Sequence, residues 1–498
     1  MPHFEPERYA EDAQPVIAAV DGQIWTPVIR HGCTFDEKVF ILVMENFAKN
    51  PNLNSSWLFR ADILQDEASS SFGDSTPEGL GSHVRDFKEF QRVRIMVRKL
   101  IPRNPKRDEP LIQTCMFLSN EGEMDRGTTR RHMVVYIPHV SDQGELPFYH
   151  PKVRGIAHLH EWDSSTGQGA VSLHIWHFEE QDLGAAGRLD RTLLMILSQL
   201  HKHGQGSVAG YVKRVHHDAI IPQSRFQDVY TRLKNEYGRQ LVTSWAEHTD
   251  PTKHVFEDLG IAAFLIELWK DMYTENAFPG FVDIGCGNGL LVYILRKEGY
   301  QGWGFDARAR KSWHAYNMAV DAEVGHALHA GTDSLQARVL LPCFVERPSE
   351  NTTAWDETRV HDGVFPTGTF IISNHADELT PWTPILAARS RSSFIAIPCC
   401  SHNLTGQKFR APPPADTSKG KSTYASLVAW VSNISADCGY EVETEALRIP
   451  STRNTALIGR KFTAGDSTDL GSVIAKYGGA MGYCENISKL LKTGLRGH

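Results

Sequence analysis

The spacing of hydrophobic and polar residues changes about halfway along the chain. In the first half, partly alternating runs predict strands at 91–100, 133–137 and 172–178, since successive side chains on a strand face opposite sides. Apolar residues three or four positions apart predict helices at 189–201 and 226–245. This half is therefore predicted to be an α+β domain.

In the second half, short apolar runs alternate regularly with helical segments. Strands are predicted at 280–284, 302–305, 369–373 and 393–397, and helices at 254–273, 290–297 and 308–318. This alternation predicts β-α-β units in a doubly wound, Rossmann-like α/β sheet. We predict an α+β domain at 1–245, the α/β domain at 246–463 and a weakly patterned tail at 464–498. Composition predicts loops at 67–82, 346–362 and 411–422.

The composition is that of an ordinary globular protein with a core. Of the 498 residues, 41% are hydrophobic and 22% are charged, and the net charge of −7 excludes a chain that is basic throughout. The eight cysteines are scattered without a C-x-x-C pair, which favours free thiols in a reducing compartment. The sequence shows neither a signal-peptide pattern nor an apolar stretch of about 20 residues. We therefore expect a cytoplasmic protein without a membrane partner.

A glycine-rich turn follows the first predicted strand of the second half. Its glycines allow the backbone to approach a ligand closely, and the helix that follows offers free N–H groups to a carboxylate such as that of methionine. Asp283 suits the ligand's ammonium group, and Asp306, about 20 residues further on, suits ribose hydroxyls. We predict an S-adenosyl-L-methionine site, with cofactor contacts from Asp283, Gly285, Cys286, Gly287, Asn288, Gly289 and Asp306.

Other ligands fit this turn less well. A dinucleotide fingerprint would need a glycine where Leu290 stands, and a phosphate loop would need a lysine after its last glycine. A tight turn without any ligand is the remaining alternative, and the two acids at the expected spacing argue against it. Cys286 has no predicted chemical role beyond filling a small space.

The predicted strand at 369–373 runs into a second polar segment, which begins at Asn374. Ligand crevices in such sheets lie beyond the carboxyl ends of the strands, so Asn374 is a further predicted cofactor contact. Removing a proton from a hydroxyl needs a carboxylate or an imidazole. The predicted catalytic residues are, in order, Asp377, Glu378 and His375. Simple helix capping by Asn374 or Asp377 is the alternative.

Basic residues cluster in ways that favour a polyanionic partner. Residues 85–107 contain nine bases against two acids, and a second cluster begins at Lys213. Solvated surface charge is the alternative interpretation. The residues predicted to contact the substrate are Arg98, Arg103, Lys213, Arg214, Lys408, Arg448 and Arg453.

One short cysteine motif carries no prediction of a metal. Cys399, Cys400 and His402 lie close together in sequence. Adjacent cysteines are poor tetrahedral ligands without a second pair, so no metal site is expected.

Several segments together resemble the eukaryotic tRNA (uracil-2′-O-)-methyltransferase family, which modifies uridine 44 of serine tRNA. The Asn374–Trp382 and Ile397–Cys400 runs are the most specific. The matching stretches are Leu100-Ile-Pro-Arg-Asn-Pro, Gly210-Tyr-Val-Lys-Arg-Val-His-His-Asp, Asp250-Pro-Thr-Lys-His-Val-Phe-Glu-Asp, Val282-Asp-Ile-Gly-Cys-Gly-Asn-Gly, Asn374-His-Ala-Asp-Glu-Leu-Thr-Pro-Trp, Ile397-Pro-Cys-Cys and Arg448-Ile-Pro-Ser-Thr-Arg.

The resemblance implies methyl transfer to a ribose 2′-oxygen, with tRNA and not DNA as the partner. It implies a tRNA-binding role for the first domain. The residues alone also allow a methyltransferase for another RNA, a protein or a small molecule. They allow, in addition, a non-catalytic RNA-binding scaffold with a degenerate pocket.

Overall fold

The structure, a computed structural model, describes most of the chain. The described residues are 4–68, 83–104, 107–120, 129–178, 186–210, 217–274, 277–323, 333–346, 357–414, 416, 422–463 and 468–493. They belong to two compact units, Met1–Lys213 and Arg214–His498, which we name unit 1 and unit 2.

The boundary between the units lies at residue 213 and not near residue 245, where we predicted it. The reason is the packing of the segment 223–243. Phe226, Leu233 and Leu241 are buried in the same apolar cluster as Leu259, which lies in the helix that precedes the first strand of unit 2. Buried side chains of this kind make the segment part of a core, whereas domain linkers are exposed.

Unit 1 is built on an eight-stranded antiparallel sheet in the order β1-β2-β8-β7-β6-β5-β4-β3. Successive side chains alternate between two apolar layers, with Met96 and Val134 in one and Val97 and Val135 in the other. Short 3₁₀ turns lie at Pro51–Leu53 and Gln143–Glu145. The elements are β1 (Glu7–Arg8), β2 (Thr26–Cys33), α1 (Glu37–Lys49), β3 (Leu58–Ala68), β4 (Gln91–Pro102), β5 (Leu111–Ser119), β6 (Thr129–Pro138), β7 (Gly155–Asp163), β8 (Gln168–Trp176) and α2 (Ala186–Val208).

Arg98 is a structural residue of unit 1, and the prediction that it contacts the substrate is wrong. It lies on β4 with only 4% of its surface exposed. Its guanidinium donates to the carbonyl oxygens of Phe47 and Ala48, at 3.0 and 2.7 Å, and to Gln113 Oε1 at 2.6 Å. These carbonyls end α1, where the helix dipole favours a cation. The charge count of residues 85–107 could not show that this side chain points inward.

Unit 2 contains a seven-stranded sheet in the order β11-β10-β9-β14-β15-β17-β16, parallel except that β17 runs antiparallel to both neighbours. A π-helical turn lies at Lys234–Gly238, and 3₁₀ turns lie at Glu357–Arg359 and Asp377–Trp382. The elements are α3 (Gln223–Leu233), α4 (Arg239–Thr243), α5 (Pro251–Met272), β9 (Phe281–Ile284), α6 (Leu290–Lys297), β10 (Gly302–Asp306), α7 (Ser312–Glu323), β11 (Leu335–Ala337), β12 (Val339–Leu340), β13 (Val360–His361), β14 (Phe370–Asn374), α8 (Thr383–Arg389), β15 (Phe394–Ile397), α9 (Thr423–Asp437), β16 (Tyr440–Ala446), β17 (Thr455–Phe462), α10 (Leu470–Lys476) and α11 (Tyr483–Thr493).

The chain leaves β9 in one direction along the sheet and returns to its other side at β14. This reversal is a topological switch point, where open α/β sheets bind their ligands. The predicted fold class, a doubly wound sheet preceded by an α+β domain, is confirmed.

The C-terminal segment is part of unit 2 and not a separate tail. Val473, Ile474, Tyr483 and Ile487 are buried in the apolar layer on one face of the sheet. The hydroxyl of Tyr483 donates to the Leu340 carbonyl at 3.1 Å. The many glycines of this segment obscured its two short amphipathic helices in the sequence.

The predicted loops have mixed outcomes. Within 346–362, the described residues include β13, which pairs with β12 in parallel, so that prediction is partly wrong. Residues 69–82, 347–356, 415 and 417–421 lie outside the described residues.

Within the part of the chain that the structure describes, every helix is too short or too polar to cross a membrane.

Candidate active site

The glycine-rich turn joins β9 to α6 at the switch point of the sheet. The amides of Gly285 and Cys286 donate to the Phe305 carbonyl at 2.8 and 3.0 Å, which fixes the turn against β10. Gly287 has φ of +53°, and a Cβ atom there would meet nothing within 4 Å. Gly289 has φ of +77°, and a Cβ atom there would lie 2.5 Å from Leu335. One glycine therefore leaves open space, and the other permits close packing.

Asp283, the residue before the last of β9, carries a buried carboxyl group. Its side chain is only 1% exposed, and its Oδ1 accepts no hydrogen bond within the described residues. Burial, followed by the nearby carboxyls of Asp258 and Asp306, raises the pKa of Asp283 well above its usual range. A buried acceptor of this kind is costly unless a donor binds it. An ammonium group, such as that of S-adenosylmethionine, fits this requirement.

Asp306 ends β10 beside the turn. Its carboxylate accepts from the backbone amides of Gly287, at 3.1 Å, and Arg308, at 3.2 Å. Burial raises its pKa, while Arg310 acts in the opposite direction. The carboxylate therefore links the turn to the end of the neighbouring strand, where the sequence placed a ribose-binding acid.

Two acids of α5 that the sequence analysis missed contact the polar segment after β14. Asn374 donates from Nδ2 to Asp258 Oδ1 at 3.2 Å, and His375 Nε2 lies 3.0 Å from Glu257 Oε1. Burial, and then the charge of Glu257, raises the pKa of Asp258 to about 8. Nearly every side chain of α5 from Val255 to Trp269 is buried. Acids inside such an apolar helix were a usable signal for this site.

The backbone after β14 is held in an uncommon conformation. His375 has φ of 51° and Asp377 has φ of 43°, both in the left-handed region. Non-glycine residues adopt this region rarely, at a cost on the order of 1–3 kcal/mol each, and such strain is concentrated at functional sites. These backbone angles set the path of the polar segment along the carboxyl edge of the sheet.

The three predicted catalytic side chains differ in their surroundings. Burial, and then the charges of Asp377 and Asp306, raises the pKa of Glu378 to about 7. Asp377 accepts a hydrogen bond from the Cys399 thiol at 2.9 Å. His375 is already held by Glu257 through one ring nitrogen. The protonation of Glu378 therefore changes close to neutral pH.

A second set of partners braces the turn from α7. Trp313 Nε1 donates to the Gly287 carbonyl at 2.9 Å. Ser312 Oγ donates to the Asn288 carbonyl at 2.7 Å and lies 2.9 Å from Glu247 Oε1. Asn288 itself accepts from the Leu290 amide through Oδ1 at 2.8 Å, which satisfies the first amide of α6. No local sequence pattern identified Ser312 or Trp313.

The remaining predicted substrate contacts differ in exposure and in their partners. Arg103 and Lys408 are exposed, and Arg448 is paired with Asp218 through two hydrogen bonds of 2.8 and 2.6 Å. Arg453 donates to the Cys399 carbonyl, which places it beside the end of β15. Lys213 and Arg214 lie outside the described residues.

The strand order, the glycine-rich turn and the acids at the ends of β9 and β10 define an S-adenosylmethionine-dependent methyltransferase. Residues 220–327 match the family model described as a predicted AdoMet-dependent methyltransferase. Residues 6–214 match the model described as TRM44-like, N-terminal bet v1-like domain.

Three fungal proteins named tRNA (uracil-O(2)-)-methyltransferase align with nearly the whole chain. The Neurospora crassa protein is 53% identical, with 99% of each chain covered. The Schizosaccharomyces pombe protein is 39% identical, with 95% of this chain and 94% of the relative covered. The Yarrowia lipolytica protein is 38% identical, with 96% and 97% covered. The chain belongs to the tRNA (uracil-O(2)-)-methyltransferase family, and its methyl donor is S-adenosylmethionine.

Proposed function

We propose that this protein transfers a methyl group from S-adenosylmethionine to the ribose 2′-oxygen of a uridine in tRNA. The observation that carries the proposal is the presence of two particular side chains at the carboxyl edge of the parallel strands. Asp283 is a buried acceptor that needs a cation, and Glu378 is a carboxyl with a pKa of about 7. The name shared by the full-length relatives supports tRNA as the acceptor. The choice of serine tRNA and of uridine 44 rests on the family resemblance alone.

The cofactor contacts follow from the predicted residues and their geometry. Asp283 receives the ammonium group, the open space at Gly287 lies along the ligand, and Asp306 receives ribose hydroxyls. Asn374 adds its Oδ1, a buried acceptor without a partner within the described residues. When bound, S-adenosylmethionine supplies an electrophilic methyl group on a positively charged sulfur.

The protein's chemical task is to position the acceptor and remove one proton. In-line transfer would require the acceptor 2′-oxygen to be held about 3–3.5 Å from the methyl carbon. Glu378 accepts the hydroxyl proton on a side-chain oxygen, since a base whose pKa is close to the working pH is the most effective. Asp377 and His375 position the segment, because each is already engaged by a neighbouring side chain.

The RNA contacts are proposed on charge and exposure. Arg453 beside β15 and Lys408 in the loop after it would contact phosphates close to the acceptor nucleotide. Arg103, Lys213, Arg214 and Arg448 are proposed as further phosphate contacts, with unit 1 as the tRNA-binding domain. All eight cysteines are free, which supports the cytoplasm as the compartment.

The test is methylation of an unmodified serine tRNA transcript with labelled cofactor, followed by nuclease digestion. A 2′-O-methyl group blocks cleavage of the adjacent phosphodiester bond, so the label should be recovered in a resistant dinucleotide. The matched control is the same transcript with cytidine at position 44, which should stay unlabelled. Label in a mononucleotide base, or equal label in the control transcript, would refute the proposed acceptor.

A further inference from the structure

The ends of β14 and β15 bring one carboxylate and two thiols together. Asp377 follows β14, while Cys399 and Cys400 follow β15, and one ligand atom from each residue lies within 4.8 Å of the others. All three side chains are half-buried. Zinc bonds of about 2.3 Å to sulfur and about 2.0–2.2 Å to oxygen place tetrahedral ligands roughly 3.5–3.8 Å apart. The three residues are therefore within reach of one ion.

A basic side chain lies beside the two thiols. Arg453 donates from Nη1 towards Cys400 Sγ at 3.5 Å and also bonds the Cys399 carbonyl. An N–H donor to a ligating sulfur is a common support around metal sites. Without a metal, burial followed by the charge of Asp377 raises the pKa of both thiols. A cation at the centre of the three groups would reverse that effect.

We propose that Asp377, Cys399 and Cys400 bind one zinc ion. Thiolate ligands favour zinc over magnesium or calcium, which prefer oxygen. Binding releases the two thiol protons to solvent and involves no change in oxidation state. The sequence alone argued against a metal because it showed only the adjacent cysteines, and the fold supplies the third ligand from the neighbouring strand.

Three protein ligands leave a fourth position open, as in catalytic zinc sites. The site lies at the carboxyl edge of the parallel strands, next to Glu378. An oxygen bound at the open position would lose its proton more easily, because zinc acts as a Lewis acid. Zinc binding by these residues does not depend on tRNA being the substrate.

The experiment measures metal content in the full-length chain, purified without chelator and with any tag removed. We expect about one zinc per chain by plasma mass spectrometry, and less than about a tenth of that in the Cys399→Ser, Cys400→Ser double variant. Cobalt added to the metal-free protein should give the near-ultraviolet thiolate-to-metal band, and the double variant should lack it.

Two controls separate metal loss from misfolding. Cys343→Ser removes an exposed thiol elsewhere in unit 2 and should keep the wild-type zinc content. Calorimetric titration with S-adenosylmethionine should show that the double variant still folds around its cofactor. The proposal is overturned if wild-type protein holds no zinc and gives no cobalt band, or if the double variant retains the same zinc content.

Discussion

Burial perturbs mainly histidines in the sheet of unit 1 and mainly carboxyl groups at the candidate site of unit 2. Unit 1 buries histidines whose pKa values are lowered to about 4, mainly by burial, namely His150, His158, His160 and His174. In unit 2, Asp258 and Asp283 are buried and Glu378 is half-buried, and burial raises the pKa values of these three carboxyl groups. The difference separates residues that maintain a fold from residues that bind a ligand.

Each of these four histidines has a hydrogen-bond partner within unit 1 for at least one ring nitrogen, while Nδ1 of His160 and of His174 has none within the described residues. Burial keeps each ring neutral, and the protein itself supplies a hydrogen-bond partner, as with His158 at the Val134 carbonyl and His160 at the Phe35 carbonyl. Asp283 of unit 2 has no such partner for its Oδ1 within the described residues. A neutral buried imidazole needs no ligand, whereas a buried carboxylate keeps its charge at low cost only beside a cation.

The largest effect is expected at Glu378. Glu378→Gln should lower the single-turnover methylation rate by about 10²–10⁴-fold while S-adenosylmethionine binds as before. Because the deprotonated carboxylate is the active form, the wild-type rate should rise with pH until about pH 7 and then level off. Glu441→Gln removes an exposed carboxylate and serves as the control. A rate within a few-fold of wild type would exclude Glu378 as the base.

Arg98 tests the other half of the comparison, the residues that maintain the fold of unit 1. Arg98→Met leaves the Phe47 and Ala48 carbonyls without their donor, and should cost unit 1 about 3 kcal/mol of unfolding free energy. Urea denaturation measures this loss, and cofactor affinity should not change. The matched variant is Arg103→Met, on the exposed end of the same region. Equal stability of the two variants would show that burial of Arg98 is not important for the fold.

The substitution Asp283→Asn should lower the affinity for the cofactor without lowering the stability of the protein. We expect cofactor affinity to fall about 10–100-fold, the value of one charge-assisted hydrogen bond. The melting temperature without cofactor should stay the same or rise, because a buried carboxyl group has been removed. Calorimetry and thermal unfolding provide the two readouts, with the exposed Asp333→Asn as control. A variant that melts earlier and binds normally would make Asp283 a structural residue.

The buried histidines predict that unit 1 is sensitive to acid. Their pKa values are about 4 in the folded chain and about 6.5 in the unfolded chain, so the unfolded state gains protons first. Stability is fully present above pH 6.5 and is lost as the pH falls towards 4. Each histidine should contribute about 1.4 kcal/mol per pH unit in that window.

Hydrogen exchange resolved by peptide is the suitable measurement for this acid sensitivity. Peptides of β6, β7 and β8 should lose protection between pH 6.5 and 4.5. The variant His174→Gln should reduce the pH dependence of that protection by about the contribution of one histidine. Unchanged protection in these strands over that range would contradict the assignment of neutral buried rings.

The smallest effect is expected at the exposed arginines of unit 2. Arg453→Ala should weaken tRNA binding a few-fold and reduce the salt dependence of the binding constant by about one phosphate contact. Arg448→Ala should have less effect, since Asp218 already neutralises that guanidinium. Filter binding over a salt series measures both. Identical slopes for wild type and Arg453→Ala would remove Arg453 from the RNA contacts.

The cofactor turn was predictable because its chemistry is local. Glycines at fixed spacing, and acids at the ends of two consecutive strands, appear in the sequence as they do in the structure. The contacts of Asn374 and His375 with Asp258 and Glu257 were not predictable in this way, since more than a hundred residues separate the partners. Only the fold brings α5 to the end of β14.

Charge runs were the least reliable signal. Arg98 and Arg103 belong to one basic run, but the first is buried and the second is exposed. The direction of a side chain depends on strand alternation and on the elements packed above it, neither of which a count of charges contains. The domain boundary was displaced for a similar reason, because amphipathic helices look alike on either side of a domain junction.

The burial of Tyr483 under the sheet of unit 2 has a consequence for synthesis of the protein in the cell. Helix α11 supplies part of the same apolar layer as β9 and β14, so that layer is incomplete until α11 has left the ribosome. A nascent chain that stalls shortly before α11, or a premature stop codon at that place, would leave this apolar surface exposed. Every predicted catalytic residue would already have been translated. Chaperones and proteases recognise such surfaces, so docking of α11 should protect the chain from degradation.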